Sequence, residues 1–514
     1  MSNDVWERAR EIRKVAEDGR PLYERIANVL SDAIRSGELA DGHRLPTVRE
    51  LAELLQISAT TVVSAYNRLR DDGLAVGEVG RGTFVSHPAG APAVANDRQP
   101  LHISANSSSL LIPASIAWRR RALASAETRL RLAFPEAVDL MRGGPDPALL
   151  PTTALRRAWR AAADNLTVAE LQYPMRVETD PTLVEQLLPR LEADGVAADP
   201  DEILITSSTQ QLLALVVELL HTDRTGSDPV IAAVEEPGYQ TAMDTFERGG
   251  LHLVGMPLDD EGVRPEGLEA ALANGARLVL FTPRAQSPTG SSWTTERKDQ
   301  LAEVLAGHPD VWIVEDDHFA EASTSKPGSL RNDPRLRARV IYVRSFSKCL
   351  APDLRMAAAV ADDHVRNRLS LAKSFADGWT PRTAQRALAA LLADPETDRA
   401  LELARSTYAA RRSSLGALIQ ECTGGVIAPT IGADGLHLWF SLPAGGHAGE
   451  LVAETARAGF LLAGADPFYV GPGHDRSIRL NAGVAPVEVT AGVAQALANT
   501  LRHLPSRSEM VLTP

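Results

Sequence analysis

Lysine is scarce in this chain. Of 53 basic residues only five are lysines, Lys14, Lys298, Lys326, Lys348 and Lys373, so chemistry that needs a primary amine has few places to happen. Lys348 stands apart because it lies in Arg344-Ser345-Phe346-Ser347-Lys348-Cys349-Leu350-Ala351-Pro352-Asp353-Leu354-Arg355, directly after the apolar run Val340-Ile341-Tyr342-Val343. Hydroxyls flank it at Ser345 and Ser347, and a guanidinium follows at Arg355. An amine in that setting can condense with an aldehyde while the hydroxyls and the arginine hold a phosphate on the same molecule. The other four lysines fall in charged helices or a polar loop, and the solvated surface is their expected place.

The remaining groups such chemistry needs follow other apolar runs. Val311-Trp312-Ile313-Val314 delivers Glu315-Asp316-Asp317-His318, and Asp316 there can keep a ring nitrogen protonated while staying ionised as its partner. Ile203-Leu204-Ile205 leads into Thr206-Ser207-Ser208-Thr209-Gln210 ahead of an apolar helix, and amides with hydroxyls at a helix amino end form a phosphate site. After Val230–Val234, Glu235-Glu236-Pro237-Gly238-Tyr239 offers a ring for stacking. Arg284-Ala285-Gln286-Ser287-Pro288-Thr289-Gly290 and Ser477-Ile478-Arg479-Leu480 complete the series. Near-continuous apolar runs of this kind are strands buried on both faces, so the spacing predicts an α/β domain with a mainly parallel sheet covered by helices.

Composition bounds the rest. A chain of 514 residues exceeds what one core usually supports. Its 44% hydrophobic and 23% charged residues exclude a disordered chain, a collagen and a coiled-coil rod. The net charge of −13 argues against coating nucleic acid or membrane through bulk charge. No apolar run reaches membrane length, and Asp4, Glu7 and Glu11 do not suit a secretory leader, so a cytoplasmic protein is expected. Two cysteines, Cys349 and Cys422, support neither a disulfide framework nor a cysteine-rich zinc site, and no metal is expected.

Five segments are expected: an extension at 1–20, a helical head with a hairpin at 21–86, a linker at 87–135, the α/β domain at 136–506 and a tail at 507–514. In the head, Leu22, Ile26, Val29, Leu30, Ala33 and Ile34 recur at helical spacing. A second helix is predicted over Thr47–Leu55, a third over Ala59–Asp72, and two short strands around a glycine-rich turn within Leu74–Val85. The linker is rich in Pro, Ser, Ala and Asn, and it ends in the densest basic cluster, Arg119-Arg120-Arg121. That cluster is read either as extra phosphate contacts or as a solvated helix face.

Residues 21–85 resemble the winged helix-turn-helix of GntR-type transcription regulators. The likeness is carried by Pro21-Leu22-Tyr23, Arg44-Leu45-Pro46-Thr47-Val48-Arg49-Glu50-Leu51-Ala52, Thr60-Thr61-Val62, Ala65-Tyr66 and Gly80-Arg81-Gly82-Thr83. It implies a third helix in the major groove of operator DNA, with Ser58, Thr60 and Thr61 at its start, Arg44 and Arg49 nearby and Arg81 on the wing. Charge does not decide between this and a protein-interaction module, since residues 21–86 hold seven Arg against nine Asp plus Glu. Ala59 also stands where the family usually has Arg.

The segments of residues 138–506 resemble a fold-type-I pyridoxal-phosphate aminotransferase. The whole chain from Pro21 is therefore similar to the MocR/GabR branch of bacterial regulators. The resemblance implies pyridoxal 5'-phosphate held as an imine on Lys348, with Asp316 at the pyridine nitrogen. It assigns Ser207, Ser208, Thr209, Ser345 and Arg355 to the phosphate and Tyr239 to the ring face. Tyr173 would reach the cofactor of a partner subunit in a homodimer, and Arg479 would hold the carboxylate of an amino-acid-like effector.

Two positions depart from the enzyme pattern. His318 stands where a tyrosine usually contacts the phenolic oxygen, and Ser287 replaces the asparagine before Pro-Thr-Gly. Asp316-Asp317-His318-Phe319 is similar to the vitamin-B6-responsive members of the branch. His318 is alternatively a hydrogen-bonded core histidine, and Arg479 a surface ion pair. Three functions are thus weighed: a cofactor-responsive regulator, which is preferred, a working aminotransferase with an accessory head, and a scaffold that has lost the cofactor.

Overall fold

Helices α1 (Leu22–Arg35), α2 (Val48–Leu55) and α3 (Ala59–Asp71) form because apolar residues return every three or four positions and give each helix one face to bury. Ile26, Leu30, Ile34, Leu51, Leu55, Val62, Tyr66 and Leu69 form their common core. The structure, a computed structural model, describes residues 22–35, 38–39, 43–71, 74–78, 82–85, 119, 128–174, 179–223, 229–429, 432, 434–444, 446–471 and 473–503. The expected extension and tail, Arg81, Arg120 and Arg121 lie outside them, as does most of the expected linker. Helix α2 starts where its sequence says it should. Thr47 accepts from the Glu50 amide at 3.2 Å, and the Glu50 carboxylate accepts from the Thr47 amide at 2.7 Å. Strands β1 (Ala75–Glu78) and β2 (Gly82–Val85) pair antiparallel, and β2 is tied back to the head where the Val85 amide donates to the His43 carbonyl at 2.8 Å.

The chain divides into two compact units, residues 1–107 and 108–514. The second holds strands β3 (Val138–Asp139), β4 (Ile203–Thr206), β5 (Ile231–Glu236), β6 (His252–Asp259), β7 (Gly262–Val263), β8 (Ala276–Phe281), β9 (Trp312–Asp317), β10 (Val340–Ser345) and β11 (Ala357–Val360). Eight of them make one sheet in the order β4-β11-β10-β9-β8-β5-β6-β7. The five strands from β10 to β6 run parallel, so the expected mainly parallel sheet is present. Strand β11 runs against both β10 and β4, and two reversals return β4 to the direction of the parallel set. Ala357 pairs with Ser345 on one side and Thr206 on the other, so the carboxyl ends of β4 and β10 lie level. Strands β12 (His437–Ser441), β13 (Phe460–Leu461), β14 (Ala463–Gly464) and β15 (Ser477–Asn481) complete the set. Of these, β12, β15 and β14 make an antiparallel sheet, and β13 pairs with β3.

Helix α4 (Thr209–Thr222) buries Leu212, Leu213, Leu215, Val216, Val217, Leu219 and Leu220. It is apolar nearly all round because sheet and neighbouring helices enclose it. Helices α5 (Gln240–Arg248) and α6 (Asp363–Ala376) share its core through Met243, Phe246, Leu369 and Ala372. Among the described residues no helix is long and apolar enough to cross a membrane.

Both readings of Arg119 need correction. It is 0% exposed, and its guanidinium donates to Asp244 on α5 at 2.9 Å, to Glu247 on the same helix and to the Val470 carbonyl at 3.2 Å. A buried guanidinium is tolerated only when such acceptors replace its water. Arg119 therefore belongs structurally to the second unit and is neither a phosphate contact nor a solvated face. Nearby, Arg131 pairs with Asp139 at 2.8 Å.

Since Leu212 is fully buried in the first turns of α4, Leu212→Ala is expected to cost about 2–5 kcal/mol. A lowered urea midpoint for the second unit, followed by intrinsic fluorescence, checks this.

Candidate functional site

Pleating sends Asp316 and Asp317, neighbours on β9, to opposite faces of the sheet. Asp317 enters a buried layer of charge. Arg284 donates to it at 2.7 Å and Tyr342 at 2.5 Å, while Arg344 donates to Asp194 at 2.6 Å and to Glu321 at 3.2 Å. Burial alone would raise the Asp317 carboxyl, but Arg284 and Arg344 outweigh it and hold the group below the usual carboxylate range. Asp316 faces a cavity of about 480 Å³. There, among the described residues, it accepts one hydrogen bond, from Thr209 Oγ1 at 3.1 Å. Burial pushes its carboxyl up to about 7 despite that bond.

The cavity gathers Ser208, Thr209, Tyr239, Ser287, His318, Ser345, Lys348, Arg355 and Arg479 with Asp316. Ser208 caps α4, accepting from the Gln211 amide at 3.1 Å, so the helix amino end and its unpaired amides open on the cavity. Arg355 adopts a left-handed backbone, φ 50°, just before β11, at the level of Ser345. Lys348 Nζ donates to the Gly143 carbonyl at 2.6 Å. Burial and then Arg479 lower the Lys348 ammonium from its usual range, which favours the nucleophilic amine. Burial and then Lys348 bring the His318 imidazole down to about 4, so it is neutral at pH 7.

Arg479 is no surface ion pair. It is buried, donates to the Met141 carbonyl and lies over the Phe468 ring at 4.6 Å. His318 forms part of the cavity wall instead of the core. Two expected residues stand outside the cavity lining. Ser207 is turned to the base of α4, its amide donating to Gln211 Oε1 at 2.8 Å. Tyr173 is 87% exposed and meets Trp379 edge-on, with ring centroids 5.6 Å apart.

Sequence reasoning missed Gly143 and His437, which also line the cavity, and it misplaced Lys373. That lysine is 0% exposed, pairs with Asp377 at 2.7 Å and reaches Gln211 at 3.4 Å. Asp377 four residues on was the available signal, because an i,i+4 carboxylate can follow a lysine into the interior.

These groups fit a phosphorylated pyridine aldehyde. A buried amine, a buried carboxylate, a helix amino end with a guanidinium, and an aromatic ring share one cavity. In the head, Arg44 and Arg49 are exposed, Arg49 beside Glu53 at 3.3 Å. Ser58 Oγ accepts from the Thr61 amide at 3.1 Å and lies 2.7 Å from the Thr61 hydroxyl, so both hydroxyls mark the amino end of α3. The Thr60 side chain and Arg81 lie outside the described residues.

Comparison with known proteins gives the same division. Residues 22–85 match the bacterial regulatory proteins of the gntR family, and residues 115–494 match aminotransferase class I and II. The vitamin B6 salvage pathway transcriptional repressor PtsJ of Salmonella typhimurium is 30% identical over 464 residues, 89% of this chain and 94% of its own. The HTH-type transcriptional regulator TauR of Rhodobacter capsulatus is 29% identical over 496 residues, 94% of this chain and 96% of its own. Among solved structures, the α-aminoadipate aminotransferase LysN of Thermus thermophilus, complexed with N-(5'-phosphopyridoxyl)-L-leucine, superposes with a TM-score of 0.65. It is 26% identical, covering 78% of this chain and 99% of that one.

The Asp316 carboxyl sits above its unfolded value near 3.9, so ionising it in the empty cavity costs stability. That cost is absent below about pH 4, grows as the pH rises and levels off above about 7. In ligand-free protein, Asp316→Asn is therefore expected to be more stable than wild type at pH 8. The gap should close toward pH 4, as measured by thermal denaturation across that range.

Proposed function

The chain belongs to the class I and II aminotransferase family and carries a gntR-type head, the arrangement of MocR/GabR transcription regulators; from that premise we propose that it is a regulator whose affinity for operator DNA follows occupancy of the cavity beside Lys348. The observation that carries the proposal is the meeting of Lys348, Asp316 and the amino end of α4 in one cavity of a chain that also holds a DNA-binding head.

The cofactor of this family, pyridoxal 5'-phosphate, supplies an aldehyde for an amine to attack and an electron-poor ring. Lys348, lowered by burial, offers that amine. Asp316 would accept a hydrogen bond from the ring nitrogen and so keep a proton there. Ser208, Thr209, Ser345 and Arg355 hold the phosphate, with Ser207 bracing α4 from behind through Gln211. Tyr239 covers the ring face. His318 is neutral and Ser287 is shorter than an asparagine, so the oxygen beside the aldehyde would meet a weaker donor than a tyrosine at one position and a shorter one at the other. That difference favours holding a ligand over turning it over. The exposed Val168, Leu171 and Tyr173 support a homodimer in which this surface is covered. The effector is pyridoxal phosphate itself or a carboxylate-bearing amine. The vitamin B6 repressor among the relatives and the His318 position support the former.

Full-length protein mixed with pyridoxal phosphate is expected to gain an absorbance band in the near ultraviolet or violet, and Lys348→Ala to lack it. A band of equal strength in the variant would remove Lys348 from the site.

Loading is also expected to change operator affinity by about 5–150-fold, the usual scale of coupling between two sites. Titrating labelled operator with empty protein, loaded protein and Lys348→Ala at several salt concentrations measures it. Equal affinity in all three, together with steady conversion of an amino donor to a keto acid, would support a working aminotransferase instead.

A further inference from the structure

One buried polar atom on the cavity wall has no partner. His437 is 6% exposed and lines the cavity, and among the described residues its Nε2 makes no hydrogen bond. Leaving a buried donor or acceptor unsatisfied is costly, so this atom calls for a ligand group. The surroundings say which. A methyl group placed on Gly143 would lie 3.8 Å from Arg479 Nη1 and 3.9 Å from His437 Nε2, so the two nitrogens border one gap that the missing side chain leaves open. The gap adjoins the amine, because the Gly143 carbonyl accepts from Lys348 Nζ.

The frame around it is rigid. His437 pairs across the sheet with Asn481, two residues beyond Arg479 on β15. Fully buried Asn481 donates to the Arg142 carbonyl at 2.6 Å and the Gly144 carbonyl at 2.8 Å, which pins the turn that carries Gly143.

We propose that His437 recognises the ligand's carboxylate jointly with Arg479, its Nε2 hydrogen-bonding one oxygen while Arg479 Nη1 takes the other, so that this wall selects amino carboxylates over plain amines. The proposal rests on the function argued above, which brings an amine-bearing ligand to Lys348. Burial, and after it Arg479, Lys348 and His318, hold the imidazole well below its usual range. At pH 7 it is thus neutral and carries one N–H, which the Nε2 tautomer directs into the gap. Arg479 supplies the charge, and His437 adds direction without a second buried cation.

The test uses the full chain loaded with pyridoxal phosphate and two probes that differ by the carboxylate, glycine and methylamine. The readout is the concentration of each that half-changes the absorbance band. Wild type is expected to respond to glycine at a concentration about 10-fold or more below that for methylamine, the worth of one hydrogen bond to a charged acceptor. His437→Leu should shrink that ratio by about 10-fold, and His437→Gln, which keeps a donor, should shrink it less. Gly143→Ala keeps the carbonyl that holds Lys348 but fills the gap, and should shrink the ratio as well. An unchanged ratio in His437→Leu, or no preference for glycine in wild type, overturns the assignment while leaving cofactor binding intact. Failure of wild type to gain the band at all would overturn the function proposed above, and the role of His437 with it.

Discussion

Two carboxylates on consecutive residues cannot both remain charged inside a protein unless one of them is given cations of its own. Asp316 and Asp317 meet that constraint by lying on opposite faces of β9, with Arg284 and Arg344 assigned to Asp317. The same layer draws in Asp194, Glu321 and Tyr342, each bonded to at least one of the arginines or to Asp317. With that charge settled, Asp316 keeps its hydrogen bond from Thr209 and faces the cavity available to a ligand. The carboxylate that faces the cavity depends on the one that does not.

The cavity is a product of strand direction. The end lined by Ser208 and Ser345 needs β4 and β10 to finish level, and that needs a strand between them running the other way. Strand β11 does this with Ala357, Ala358 and Ala359, side chains small enough to stay covered on both faces. The opposite wall comes from β12 and β15, whose pairing sets His437 and Arg479 around the turn at Gly143. Residues more than 300 positions apart thus line a single cavity.

What the sequence made legible follows from what is local. The Lys348 segment, Asp316 and the serines before α4 could be placed because each follows a strongly apolar strand and carries its own chemistry. The capped start of α2 is legible for the same reason, since Thr47 and Glu50 are three residues apart. Strand β11 escaped notice because a run of alanines has little strand preference, and only its buried position between two neighbours makes it one. His437 begins an apolar strand, where a histidine is ordinarily a core residue, and Gly143 looks like any turn glycine until the third dimension is known. Lys373 and Arg119 were set at the surface by residue type, which is the right default for groups whose partners are far off in sequence. Tyr173 was named only through resemblance, and its exposed ring meets Trp379 outside the cavity lining.

Arg119 and Asp244 are 125 residues apart in sequence, yet the two charges share one buried space with Glu247. Neither end of such a pair is lost cheaply, because the group left behind stays buried with its hydrogen bonding reduced. Replacing both by apolar residues of similar volume removes charge and counter-charge together and is commonly neutral. Substituting both positions together is therefore expected to cost less than substituting either one alone. What position 244 on α5 can tolerate thus depends on what stands at position 119.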